Sequence, residues 1–152
     1  MSDNFGAPQN PNVIKSDEKM MALFSHLSLF IGGIILPIIF WAVSKDKSKF
    51  VSFHALQSLF FHIAYVVLIV VLAIVIIFGG IGMGLLSAGA GSTAMPVITI
   101  IAIIAFYLLM FLYIFGGIGY SVYMGIKSYE GKMNMYPIIG KLVYKQVYGT
   151  AI

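Results

Sequence analysis

The chain contains no cysteine and no arginine. The first absence excludes disulfides, thiolate metal centres and thiol nucleophiles, and leaves redox chemistry silent about compartment. The second removes the guanidinium forks on which nucleic-acid recognition depends, and the nine lysines sit at the edges of apolar segments rather than on one basic face. Nucleic acid is therefore not an expected partner. Charge of either sign is scarce, at 9% of residues against roughly 25% in soluble domains. From Phe50 to Ile126 there is none at all. Helix surfaces that face water need charge, so these helices face lipid.

Catalytic constellations are missing as well. There is no paired carboxylate, no nucleophile beside a general base, and no glycine loop opening a helix after a strand. Nor is there an intramembrane charge of the kind ion-coupled carriers use. The expectation is a protein that is not an enzyme and holds no cofactor or metal.

What remains is greasy: 61% hydrophobic residues and a mean hydropathy of +1.01. The fold class this predicts is all-α, an integral membrane helical bundle of three transmembrane helices, four being possible, followed by an interfacial C-terminal helix. Residues 1–15 are polar and turn-rich, too poor in apolar surface to offset the entropy of folding, and read as a disordered tail. They lack the basic start and cleavage site of a removed signal. Residues 16–132 form the membrane domain, with spans at about 20–43, 50–79 and 96–126, and residues 133–152 an amphipathic tail.

Ser16 is the expected N-cap of the first segment, with Asp17 and Glu18 in its first turn. Within that segment Pro37 lacks a backbone donor and its ring crowds the carbonyl of Gly33, so Gly32, Gly33 and Pro37 together predict a kink or short break. Trp41 marks the headgroup level, and Lys45, Lys47, Lys49 and Lys127 anchor helix ends at anionic lipid.

The second segment opens "KFVSFHALQSLFFHIAY". At 100° per residue His54, Ser58, His62 and Tyr65 fall in one narrow stripe, with Gln57 just beside it and Leu56, Leu59, Phe60 and Ile63 opposite. Lipid cannot satisfy such groups, so the stripe faces protein or water. Three readings fit: hydrogen bonds to His26 or Ser25 of the first span, a polar lining for a passage or partner, or ligation of metal or haem. The spacing of eight residues between His54 and His62, with no carboxylate nearby, is poor for ligation.

"GGIGMGLLSAGAGSTAMP", Gly79 to Pro96, reads as a flexible loop on the far side. In the third span Gly117, Ser121 and Gly125 repeat every four residues and offer a face for close helix approach, either within the chain or between copies. In the tail, Pro137 is placed to open a short helix with Ile138, Ile139, Leu142 and Val143 on one apolar side. The lysine asymmetry puts the Lys45 to Lys49 loop and the tail on the cytoplasmic face of the cell's inner membrane, and puts the N-terminus outside if the first segment crosses.

Three elements, "SHLS", "KFVSFHALQ" after a lysine loop, and "YEGKMNMYPIIGKL", resemble a family of small bacterial membrane proteins similar to the chloroplast inner-envelope import component Tic-twenty. The resemblance covers about two thirds of the chain. It implies a helical membrane protein related to protein-translocation factors, acting on other membrane proteins or on itself. Those plastid relatives look four-helical, so either 20–43 is two half-spans around Gly32 to Pro37 or the glycine-rich loop hides a re-entrant piece. Two functions follow as expectations: an interaction or assembly component that handles polypeptides in the membrane, or an oligomeric pore for a small solute or ion.

Overall fold

A computed structural model describes residues 14–89 and 94–149. The tail expected to be disordered lies, apart from Ile14 and Lys15, outside the described residues. The described chain forms five helices: α1 (Ser16–Ile31), α2 (Ile35–Ser44), α3 (Lys49–Gly89), α4 (Ala94–Tyr129) and α5 (Ile139–Tyr148). Contacts divide it into two compact units, residues 1–64 with 118–152, and residues 65–117.

The first apolar segment is not one continuous helix. It breaks at residues 32–34, and the chain turns back. Lys15, Glu18 and Met21 at the start of α1 share a cavity of about 300 Å³ with Val43, Ser44 and Lys47 at the end of α2, so the two helices run antiparallel with their outer ends together. Gly33 adopts φ +52°, the left-handed conformation that glycine takes at least cost. Ser28 closes the turn. Its carbonyl accepts the N–H groups of Gly32 (3.0 Å) and Gly33 (2.6 Å), and its hydroxyl lies between the carbonyls of Ser25 (2.7 Å) and Gly33 (3.1 Å). Pro37 sits in the first turn of α2, where its missing donor has no helical partner to lose. The break therefore comes before the proline. At the other end α1 starts one residue earlier than expected: Ser16 is already helical and Lys15 is the cap, its N–H donating to the Glu18 carboxylate at 2.9 Å.

Two helices are long and apolar enough to cross a membrane, α3 and α4. The glycine-rich stretch expected as loop from Gly79 is helical to Gly89, because a backbone in lipid keeps its hydrogen bonds inside the helix even where glycine lowers propensity. The segment expected as the first of three spans is thus divided at 32–34 into two helices, each shorter than α3 and α4.

In the unit formed by residues 65–117 the two helices are joined by tyrosine. Tyr65 donates its hydroxyl to the Ile114 carbonyl at 2.7 Å and stacks on Tyr113 with ring centroids 5.1 Å apart. Gly117 lies so close to the Tyr65 ring that any β-carbon would enter it. Farther along, Val75, Gly79, Gly80, Thr99, Ala102 and Phe106 line an apolar cavity of about 190 Å³. Most large side chains of α4 outside these contacts are exposed, as a lipid-facing surface requires.

The unit formed by residues 1–64 and 118–152 holds the core. Phe50 and Val51 pack on Ile14 and Ala22, while Phe53 and Leu56 pack on Val143 and Tyr148 of α5. Gly131, at φ +80°, ends α4, and the Lys132 N–H returns to the Lys127 carbonyl at 3.0 Å. The last helix starts at Ile139 rather than at Pro137, because Ile138 takes φ +65° and Ile139 N–H closes a tight turn to the Pro137 carbonyl at 2.7 Å. The four apolar residues assigned to one side of α5 divide: Val143 is buried, whereas Ile138 and Leu142 are exposed.

A buried polar cluster as the candidate functional site

The polar stripe of α3 turns inward, against α1 and the connection between α4 and α5. His26, His54, Gln57, Ser58 and His62 have no exposed surface, and Ser121 and Tyr136 join them in the same interior. Burial without partners would cost each group more than a kilocalorie per mole, so the network decides whether the arrangement is stable.

Gln57 is fixed first. Its amide oxygen accepts the Tyr136 N–H at 3.3 Å and its nitrogen donates to the Asn134 carbonyl at 3.0 Å, which sets the orientation of the amide. The same nitrogen donates to His54 Nδ1 at 3.1 Å. His54 Nδ1 is therefore an acceptor, and the neutral ring carries its proton on Nε2. His26 Nε2, 3.1 Å from His54 Nδ1, must then donate, which leaves His26 Nδ1 to accept from Ser58 at 2.8 Å and Tyr136 at 3.2 Å. A single chain of donors runs inward to the two rings from both sides. Ser121 ties α4 to α1 by donating to the His26 carbonyl at 2.6 Å. His62 Nδ1 donates to the Gly33 carbonyl at 3.3 Å and so fastens the turn of the hairpin to α3.

Tyr136 is the hub of the aromatic shell. Its ring stacks on Phe61 at 4.1 Å with the planes 2° apart, and Tyr120 meets it edge-on at 5.2 Å. Burial pushes its phenol well above the ordinary tyrosine value, against a smaller opposing effect of the Ser121 hydroxyl. At neutral pH it is a donor to His26 and not an anion.

Of the two partners expected for the stripe, His26 is used and Ser25 is not, since Ser25 donates to the Met21 carbonyl of its own helix at 2.8 Å. Tyr65 leaves the group: its hydroxyl serves the Ile114 carbonyl. The small-residue face of α4 is occupied within the chain, Gly125 against Leu23 and His26, Ser121 against His26, and Gly117 against Tyr65. Trp41 packs beside the cluster of Phe53 and Val143, with the Lys45 ammonium 5.9 Å from its ring centre. Lys49 lies 5.5 Å over the Tyr148 ring, and Lys127 lies 5.7 Å over Tyr123 while pairing with Glu130 at 3.1 Å. Lys132 also reaches Glu130, and these two ammonium groups hold the Glu130 carboxyl below its ordinary value. Lys47 lines the cavity at the root of the hairpin.

Among the described residues two buried side-chain atoms lack a hydrogen bond, His54 Nε2, which has the Lys132 carbonyl as an electrostatic neighbour, and His62 Nε2. By the assignment above His54 Nε2 carries a proton, and both nitrogens of His26 are spent on protein partners. Among the described residues no group of three or more His, Asp or Glu is arranged to hold a metal ion. The arrangement joins α1, α3, α4 and the 133–138 connection, and its chemistry is that of a structural lock.

No protein of curated function and no solved structure matches the chain. A family model does, over residues 17–143. That match overturns the kinship with import components, and with it the reading as a protein-translocation factor. The elements that carried the resemblance are the ones that build the hairpin and its polar lock: "SHLS" supplies Ser25, His26 and Ser28, and "FHALQ" supplies His54 and Gln57. They answer a packing demand that any small membrane bundle can share, and they do not report a process. The pore expected as the alternative also lacks support, because the polar groups that were to line it are buried against one another. The matched stretch reaches from the first turn of α1 to the buried Val143 of α5, and the chain belongs to the Magnetosome magnetite crystal formation protein family.

Proposed function

We propose that this protein is a non-catalytic component of the magnetosome membrane that supports magnetite crystal formation as a membrane-embedded scaffold, through contacts with other membrane proteins. The family match over residues 17–143 carries the reading. Its non-catalytic half is supported by the polar cluster, which spends its donors and acceptors on holding helices together. Iron in this reading is the cargo of the compartment and not a resident of the cluster. In this reading the lysine-bearing loop and tail face the cytoplasm, and the end of α3 and the start of α4 face the compartment that holds the crystal.

The test is complementation of a magnetite-forming cell that lacks this gene, with crystal size measured by electron microscopy and protein level in isolated magnetosome membranes. His62→Gln keeps a donor for the Gly33 carbonyl but removes the imidazole. A scaffold restores crystals of parental size with this variant. Stunted or absent crystals at an unchanged protein level would mean that the imidazole itself acts on iron or protons.

A further inference from the structure

We propose that α1 and α2 form a re-entrant hairpin seated in the acyl chains of the lipid leaflet on the lysine-bearing face, so that the chain crosses the bilayer only twice and both termini lie on one side. Four observations converge on this.

The first is closure at the root: Lys15 and Glu18 of α1 share a cavity with Ser44 and Lys47 at the end of α2. A segment whose two ends meet has not changed sides. The second is length. Helices of 16 and 10 residues reach roughly 24 and 15 Å at 1.5 Å per residue, and neither spans a hydrocarbon core of about 30 Å. The third is the surface of the turn. Phe30, Ile31, Ile34, Ile35, Ile38 and Ile39 are exposed around and after it, Ile31 by 80%, a surface that suits acyl chains and not water. The non-helical backbone beneath is satisfied from within the protein, by Ser28 and by His62, which is the condition for irregular backbone at membrane depth.

The fourth is charge. A first segment that crossed would put Lys15 and Lys19 on the face opposite the other seven lysines. With the hairpin returning, and α3 and α4 crossing once each, all nine lysines fall on one face. No residue from Phe50 to Ile126 bears a formal charge, so the opposite face receives none. The lysine asymmetry is then nine to none, where the three-span arrangement leaves it at seven to two. In this arrangement the start of α1 lies on the same face as the cytoplasmic tail.

The absence of cysteine makes the test direct. Single cysteines at the exposed positions Asp17, Asp46 and Lys141 of the full-length chain are labelled with a membrane-impermeant maleimide in sealed vesicles of known orientation, with detergent-opened vesicles as the measure of full reactivity. The hairpin requires all three to label at least tenfold faster from the same face. Labelling of Asp17→Cys from the face opposite Asp46→Cys would restore three crossings and overturn the proposal. For the occupant of the surface, a fluorophore on Ile31→Cys is exposed to nitroxides on lipid acyl chains and to aqueous iodide. Quenching by the lipid nitroxide alone is expected. Quenching by iodide would place the turn in water, and protection from both would mean that protein, another copy or a partner, covers it; either result refutes seating in lipid.

Discussion

Replacing Gln57 by Met separates the polar lock from mere apolar packing. Methionine nearly matches glutamine in length and shape and loses both polar ends. In the parent, the Gln57 side chain satisfies the Asn134 carbonyl at 3.0 Å and the Tyr136 N–H at 3.3 Å, and supplies one of two donors to His54 Nδ1. His54 keeps the donor from His26, so two backbone groups are orphaned in the interior. At about 1 to 3 kcal/mol for each unsatisfied buried group the loss is on the order of 2 to 6 kcal/mol, and about 1 kcal/mol is the floor if membrane values of roughly 0.6 per bond apply. The loss is local in origin. Both orphaned groups belong to the connection that leads into α5, so hydrogen exchange should quicken in residues 133–148 before it does in α3. Thermal unfolding in mild detergent, followed by helical circular dichroism, gives the magnitude, and exchange mass spectrometry gives the place. A change below about 0.5 kcal/mol with unaltered exchange in the tail would refute the network as a source of stability.

Ser121 has no exposed surface and its hydroxyl is 2.6 Å from the His26 carbonyl, so Ser121→Leu should disrupt the folded monomer, seen as a lower melting temperature and aggregation on size exclusion; a variant that keeps a stable monomer and loses only a dimer would place this face outside the bundle. Burial raises the phenols of Tyr136 and Tyr148, Tyr148 with a further push from Tyr144, so the folded state holds protons that the unfolded chain releases near pH 10. The stabilisation is complete below that pH and is lost as pH rises toward the folded values. Melting temperature should fall above about pH 10, and the double variant Tyr136→Phe, Tyr148→Phe should flatten that fall; an equal slope in both proteins refutes the assignment.

Much of this molecule was legible because lipid leaves the sequence few choices. The charge-free run from Phe50 to Ile126 required membrane helices, and helical period alone gathered His54, Ser58 and His62 on one side. That period could not say where the partner of a stripe changes. Tyr65 lies on the same side of α3 as His54 but bonds to Ile114 of α4, because the neighbour alongside α3 is different eleven residues on. Glycine and proline marked the break at 32–34 but not the direction taken after it, which depends on the closure of Lys15 against Ser44 and on Ser28 and His62 at the turn. Asn134 and Tyr136 were missed as members of the cluster. Tyr136 meets His26 across 110 positions, and nothing local in "KMNMYP" distinguishes a tyrosine that will be buried from one that marks the headgroups. The biological process was misread for a related reason: the residues that looked most distinctive serve packing.

The short uncharged link between the two long helices has a consequence for biogenesis. To place α3 and α4 across a bilayer, the end of α3 and the start of α4 have to be carried through, and no residue from Phe50 to Ile126 bears a formal charge. Moving a lysine to the middle of a membrane costs about 2.5 to 3.5 kcal/mol on insertion scales. No charge between Phe50 and Ile126 raises that barrier. With the returning hairpin proposed above, the two long helices can enter from the cytoplasmic side while every lysine stays behind, so that reversal would require dragging all nine ammonium groups through the lipid.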